Sequence, residues 1–191
     1  MQRSLMDGVV KTGVTIIDMV LEMDAGDMIA AAEMDISQEM TLGELSEKLC
    51  ALSCPLLLDV IENFKKGAVV RTAQDKSKVT FAPKITAEEE QIDWNTSAQQ
   101  IHNKIRALSP QPGAWCSILI GDQTKRLKIK KSLATSLSGQ VGENLSLSQE
   151  EWIIACQTGS LSLLEVQLEG KKAMSIKEFL QGCRALCIVK K

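Results

Sequence analysis

The chain has one histidine, His102, among 191 residues, and aromatic side chains make up only 3% of it. A single imidazole excludes any metal site built on two histidines. A Ser–His–Asp or Cys–His nucleophilic arrangement would have to recruit this one residue. His102 lies on an apolar helical stretch near Gln100 and Asn103 with no acidic neighbour in sequence, so it reads as a partly exposed helix histidine. Scarce aromatics argue against a surface that stacks unpaired bases. No apolar run approaches the roughly 20 residues of a membrane span. No basic-then-apolar leader opens the chain, and the expected compartment is the cytoplasm. EF-hand spacing, a P-loop and a G-x-G-x-x-G pattern are all missing.

The six cysteines do not offset these absences. Cys50 and Cys54, and likewise Cys183 and Cys187, are spaced i,i+4 in stretches that read as helical. That spacing points both thiols the same way and differs from the C-x-x-C of a zinc knuckle or redox turn. The expectation is reduced, mostly buried thiols.

At 45% hydrophobic and 24% charged, the chain can bury a real core, as one large domain or two small ones. Its charge is unevenly spread. Residues 1–70 carry twelve Asp and Glu against five Lys and Arg, whereas residues 121–191 carry eleven Lys and Arg against seven Asp and Glu. A basic second half hints at a polyanionic partner.

Thr15 to Leu21 predicts a buried strand, and Met28 to Ile36 a second, with Asp24-Ala25-Gly26-Asp27 as the turn between them. Thr41 and Glu44 fit a capping box. Leu42, Leu45, Leu49 and Leu52 follow at helical spacing, and Leu57, Val60, Ile61 and Phe64 continue the apolar face. Pro55 ends that helix or starts the next, and Gly67 stops it. Residues 68–86 read as a linker. Ser97 with Gln100 caps a further helix bearing Ile101, Ile105 and Leu108, closed by Ser109 to Gly113. Four strand-like stretches follow, separated by Gly and Ser turns, and a last helix capped by Ser175 and Glu178 carries Phe179, Leu180 and Leu186. A helix followed by short strands suggests a small barrel, drawn here as a five-stranded cylinder.

Two stretches could carry chemistry. The pair Asp24 and Asp27 around Gly26 is either a plain Asp-rich turn or a group suited to proton transfer or to a cationic partner. In Lys125-Arg126-Leu127-Lys128-Ile129-Lys130-Lys131, a strand would send Leu127 and Ile129 inward and line Arg126, Lys128 and Lys130 along one outer face. That face is either solvated or a phosphate-contacting surface for folded RNA.

Five stretches together resemble the methionyl-tRNA formyltransferase family: QRSLMDGVVKTGVTI, MDAGDM, QDKSKVTFAPKIT-EEE-IDW, IHNKIRALSPQPGAW and LEGKKAMSIKEFLQG. They occur in the family's order and spacing. The resemblance implies an α/β remnant of a formyltransferase (Rossmann-like) domain over 1–67, a linker over 68–86 and an OB-like β-barrel, tRNA-binding domain over 87–191. It implies formyl transfer from 10-formyltetrahydrofolate to the amino group of methionyl-initiator tRNA in translation initiation, without a metal, a membrane or DNA. The family's catalytic set is an Asn, a His and an Asp. Asp24 matches the Asp, while the Asn and His belong to an earlier stretch of the family pattern, so this chain reads as truncated and inactive alone. Glu22 and Ala25 stand where the family usually has Gly and Thr. Asp24 would orient and charge-stabilise the histidine that takes the amine's proton, and the Asn would hold the oxyanion. The resemblance implies that the barrel and linker grip tRNA, and the candidates there are Arg126, Lys128 and Lys130 of the cationic strand, with Lys125, Lys131 and Arg106 next. The alternative is a stand-alone RNA-binding or interaction module without catalysis, the latter using residues 14–66 as a dimer surface.

Overall fold

The computed structural model describes residues 1–182 and 186–189. It divides into two compact units, Val9–Pro83 on the one hand and Met1–Gly8 with Lys84–Lys191 on the other. No helix among the described residues is long and apolar enough to cross a membrane.

In the unit Val9–Pro83, strand β1 (Lys11–Ile17) pairs antiparallel with β2 (Met28–Asp35), with Val14 opposite Ala32. The first strand stops at Ile17 because the expected continuation is not paired. Met19, Leu21 and Met23 are almost wholly exposed, in a long loop rather than a four-residue turn. Helix α2 (Leu42–Lys65) starts where the capping box predicts. The Glu44 backbone N–H donates to the Thr41 hydroxyl, and the Thr41 N–H donates to the Glu44 carboxylate. It ends in a Schellman turn: Gly67, at φ +66°, donates to Phe64 and Ala68 donates to Asn63. Pro55 does not break it. The proline lies inside the helix on an exposed stretch, and Ala51, whose carbonyl loses its usual helical donor there, is itself an exposed residue. Leu45, Leu49 and Val60 are buried, together with Ile36 and Met40. Leu57, Leu58, Ile61 and Phe64 stay exposed, so in the second half of the expected apolar face only Val60 is core.

In the other unit, α1 (Gln2–Met6) and α3 (Ala98–Leu108) pack together against a curved antiparallel sheet. Ser97 and Gln100 form the expected capping box. Among the described residues the sheet has seven strands, not five, in the order β5 (Asn144–Leu147), β6 (Trp152–Ala155), β7 (Ser160–Leu168), β4 (Gln123–Thr135), β3 (Ala114–Ile120) and β9 (Leu186–Ile188), with β8 (Met174–Ser175) paired to β7. Four of these match the strand-like stretches of the sequence. Ile101, Ile105 and Leu108 of α3, Cys116 and Ile118 of β3, Leu127 and Ile129 of β4, and Leu161, Leu163 and Val166 of β7 share one core. Helix α4 (Ile176–Gln181), with its Ser175–Glu178 capping box, adds Phe179, stacked on Trp152 at 6.3 Å between ring centres. Leu186 belongs to strand β9 rather than to this helix, and Cys183 lies outside the described residues. The architecture follows the expected order, an α/β portion and then an OB-like barrel sheet.

The cysteines divide differently from expectation. Cys50, Cys54 and Cys187 are exposed, while Cys116 and Cys156 are buried. Burial pushes those two thiols up to about 12 and about 11, so they act as small core side chains.

Candidate functional site

Asp24 lies in the loop between β1 and β2. The loop is closed at its base by Asp18, whose N–H donates to the Asp27 carbonyl at 2.9 Å. Gly26 is buried, and a Cβ there would sit 1.8 Å from the Asp18 carbonyl oxygen, so no side chain fits. Asp24 has φ +58°, the one non-glycine residue with a left-handed backbone among the described residues. Its exposed carboxylate accepts no hydrogen bond from any described residue.

The loop is held from a distance by the stretch after α2. Thr72 and Met28 exchange both backbone hydrogen bonds, at 2.8 and 2.9 Å. Arg71 donates through Nε to Asp18 Oδ2 at 2.6 Å and stands 5.9 Å from the centre of the Phe64 ring. Gln74 Nε2 donates to the carbonyls of Asp24 and Gly26, both at 2.7 Å. No local sequence signal marks Gln74, because its partners are about fifty positions earlier.

The cationic candidates separate. Lys128 lies opposite Trp115 across the β3–β4 ladder, on the face that also carries Arg126. Arg126 stacks on Trp115, its guanidinium carbon 3.9 Å from the ring centre. An aromatic therefore does stand among these cations, supplied by the neighbouring strand rather than interleaved along β4. Lys130 occupies the bulge where the β4–β7 register slips between Ile129 and Lys131. The Lys128 and Lys130 ammonium groups donate to the carbonyls of Pro112 (2.7 Å) and Pro110 (2.6 Å). Their side chains cross Gly113, which has φ +92° and where a Cβ would meet Lys128 Cδ and Lys130 Nζ, both at 3.1 Å. Desolvation, and then repulsion from Lys128, holds the Lys130 ammonium below the ordinary lysine range, with Glu165 pulling the other way.

The other three candidates lie elsewhere. Lys125 stands opposite the buried Ile118, on the strand parity that turns inward. Lys131 is exposed and opposite Glu165 of β7. Arg106 is buried at 5% exposure, donating to Asn103 Oδ1 at 3.0 Å and to the Leu5 carbonyl at 3.3 Å. Its helical face turns toward α1, so it ties α1 to α3 rather than facing solvent. His102 is also buried, with Nδ1 3.2 Å from the Ser132 hydroxyl, and is not the partly exposed residue expected. The β4 bulge that displaces Lys130 is what turns Ser132 inward to meet it.

The family model for the formyl transferase C-terminal domain matches residues 84–184, and that for the formyl transferase itself matches residues 1–61. A methionyl-tRNA formyltransferase of Protochlamydia amoebophila is 43% identical over 182 residues, covering 95% of this chain and 57% of that protein. One of Streptococcus sanguinis is 43% identical over 179 residues, covering 94% and 56%. This chain thus spans a little over half the length of these curated relatives. Among solved structures, HypX of Aquifex aeolicus in complex with tetrahydrofolic acid has the same fold over 94% of this chain and 31% of its own, with TM-score 0.67 and 22% identity.

Proposed function

The chain belongs to the formyl transferase family, and on that footing we propose that it works in formyl transfer from 10-formyltetrahydrofolate to the amino group of methionine on initiator tRNA. The reaction is acyl transfer. The amine attacks the formyl carbon, a new C–N bond forms, the bond to the folate nitrogen breaks, and the proton lost by the amine is balanced by one gained by that departing nitrogen. This chain contributes two parts of the machinery.

The first is Asp24. It orients and charge-stabilises the family's histidine, which takes the amine's proton while the family's asparagine holds the oxyanion. The observation that carries this reading is the exposed carboxylate, free of any described partner, on a loop closed at its base by the Asp18–Asp27 bond and held near its tip by Gln74. A plain surface turn has no need of that scaffolding.

The second is the outer face of β3 and β4. Each lysine ammonium has three donors, and the loop carbonyls of Pro110 and Pro112 engage one on each. The remaining donors, with Arg126 beside them, suit tRNA phosphates. Lys131 can add charge at the edge, and a cytoplasmic setting goes with this substrate. The buried Arg106 is left out.

The test replaces the matched portion of the Protochlamydia amoebophila enzyme by this chain. The chimera should formylate methionyl-tRNA, and Asp24→Asn should lower kcat by about 10²–10⁴-fold. An Asn variant as fast as its parent would remove Asp24 from the mechanism. The chain by itself should bind tRNA without turnover, because its residues supply only the carboxylate.

A further inference from the structure

We propose that Gln74 is a positioning residue for Asp24: its side-chain amide fixes the left-handed backbone that aims the carboxylate. This rests on the catalytic role proposed for Asp24 and adds the device that holds it in place.

An Asp at φ +58° occupies a region that non-glycine residues visit seldom. Such a conformation persists where its surroundings over-determine it, and functional sites are where that occurs. Here the surroundings are few. The loop runs from Asp18 to Asp27, and Met19, Leu21 and Met23 bury nothing. The base is closed by one backbone bond, from Asp18 to Asp27.

At the tip, the Ala25 N–H donates to the Glu22 carbonyl at 3.5 Å across the turn at Met23 and Asp24, and one side-chain nitrogen then ties that turn to the rest of the unit. A primary amide nitrogen carries two N–H donors, and Gln74 Nε2 meets two carbonyls, of Asp24 and Gly26, each at 2.7 Å. The left-handed turn at Asp24 and the missing Cβ at Gly26 bring both oxygens to one point. Delivery of Gln74 is equally specified. The Thr72–Met28 bridge sets the register of the strap, and the Arg71–Asp18 ion pair anchors it to the loop base. All of these contacts lie within the unit Val9–Pro83.

The test compares the 191-residue chain with Gln74→Met, which keeps the length and removes both donors. Amide hydrogen exchange over residues 18–28 should quicken by about tenfold or more, while the amides of α2 keep their protection. The Asp24 Cα and Cβ shifts and its HN–Hα coupling should leave left-handed values while β1–β2 cross-strand contacts persist. Unchanged exchange and unchanged Asp24 shifts in a folded variant would overturn the proposal. So would equal loosening of α2, since that marks a general structural role. In the chimera, Gln74→Met should lower kcat and leave KM for tRNA unaltered; equal kinetics would also count against it. A chimera inactive without any substitution indicts the formyl-transfer reading instead, and the spectra then decide this one.

Discussion

Arg3 and Glu89 form a two-pronged ion pair across 86 positions of sequence, Nη1 to Oε1 at 2.6 Å and Nη2 to Oε2 at 3.0 Å. The Thr86 N–H donates to the same carboxylate at 2.9 Å. Hydrogen bonding from Arg3 and then from Thr86 lowers the Glu89 carboxyl from 4.5 to about 2. The folded state therefore binds the proton less readily than the unfolded chain. The resulting stability is present above about pH 4.5 and is lost as pH falls toward 2. Glu89→Gln should flatten the acid limb of a urea-midpoint-versus-pH curve across that window. A variant curve parallel to the wild type there would mean the pair contributes nothing.

The β3–β4 face should act on tRNA through phosphate. Changing Arg126, Lys128 and Lys130 together to Ala should reduce the slope of log affinity against log salt by about 2–3. Anisotropy titrations with initiator tRNA across a potassium chloride series measure it. Unchanged affinity and slope would remove this strand from the interface.

Gly113 makes the lysine arrangement possible, since both stems cross it where a Cβ would crowd them at 3.1 Å. Gly113→Ala should destabilise by about 1 kcal/mol or more, through the positive φ, and should weaken tRNA binding by displacing the ammonium groups. Stability at wild-type level would show that the Ser109–Gly113 loop can re-route freely.

How much of this was legible followed how local each cause is. All three capping boxes, at Thr41, Ser97 and Ser175, were readable because donor and acceptor lie three residues apart. Leu127 and Ile129 were readable as core from strand alternation. Trp115 beneath Arg126 was not, because ladder register decides it. His102 with Ser132 and Gln74 with Asp24 depend on partners 30 and 50 residues away, and no period in the chain encodes them. Helical spacing grouped Val60 with Leu57 and Ile61, but burial depends on what packs above the helix, and only Val60 is covered.

That last difference is measurable. Leu127→Ala removes a side chain with no exposure and should cost about 2–5 kcal/mol in denaturant unfolding. Leu57→Ala, at 51% exposure, should stay within about 0.5 kcal/mol. Equal costs would mean that the exposed half of α2 is covered in solution.

Lys130 gives the opposite pH signature to Glu89. Its folded-state value lies below the usual 10.5, through desolvation and the neighbouring Lys128. The unfolded chain then holds the proton more readily, so the charged group costs stability at neutral pH. The cost disappears as pH rises past the ordinary lysine value. Lys130→Met keeps most of the stem and removes the charge. Its stability relative to wild type should be more favourable at pH 7 than at about pH 11, because at the higher pH neither protein carries that charge. Bound phosphate reverses the sign, since an anion supports the ammonium form. With tRNA present, Lys130→Met should therefore lower the melting temperature at pH 7. A stability difference that is the same at both pH values without tRNA would show that Lys130 titrates as a free surface lysine and that its contact with Pro110 confers no desolvation.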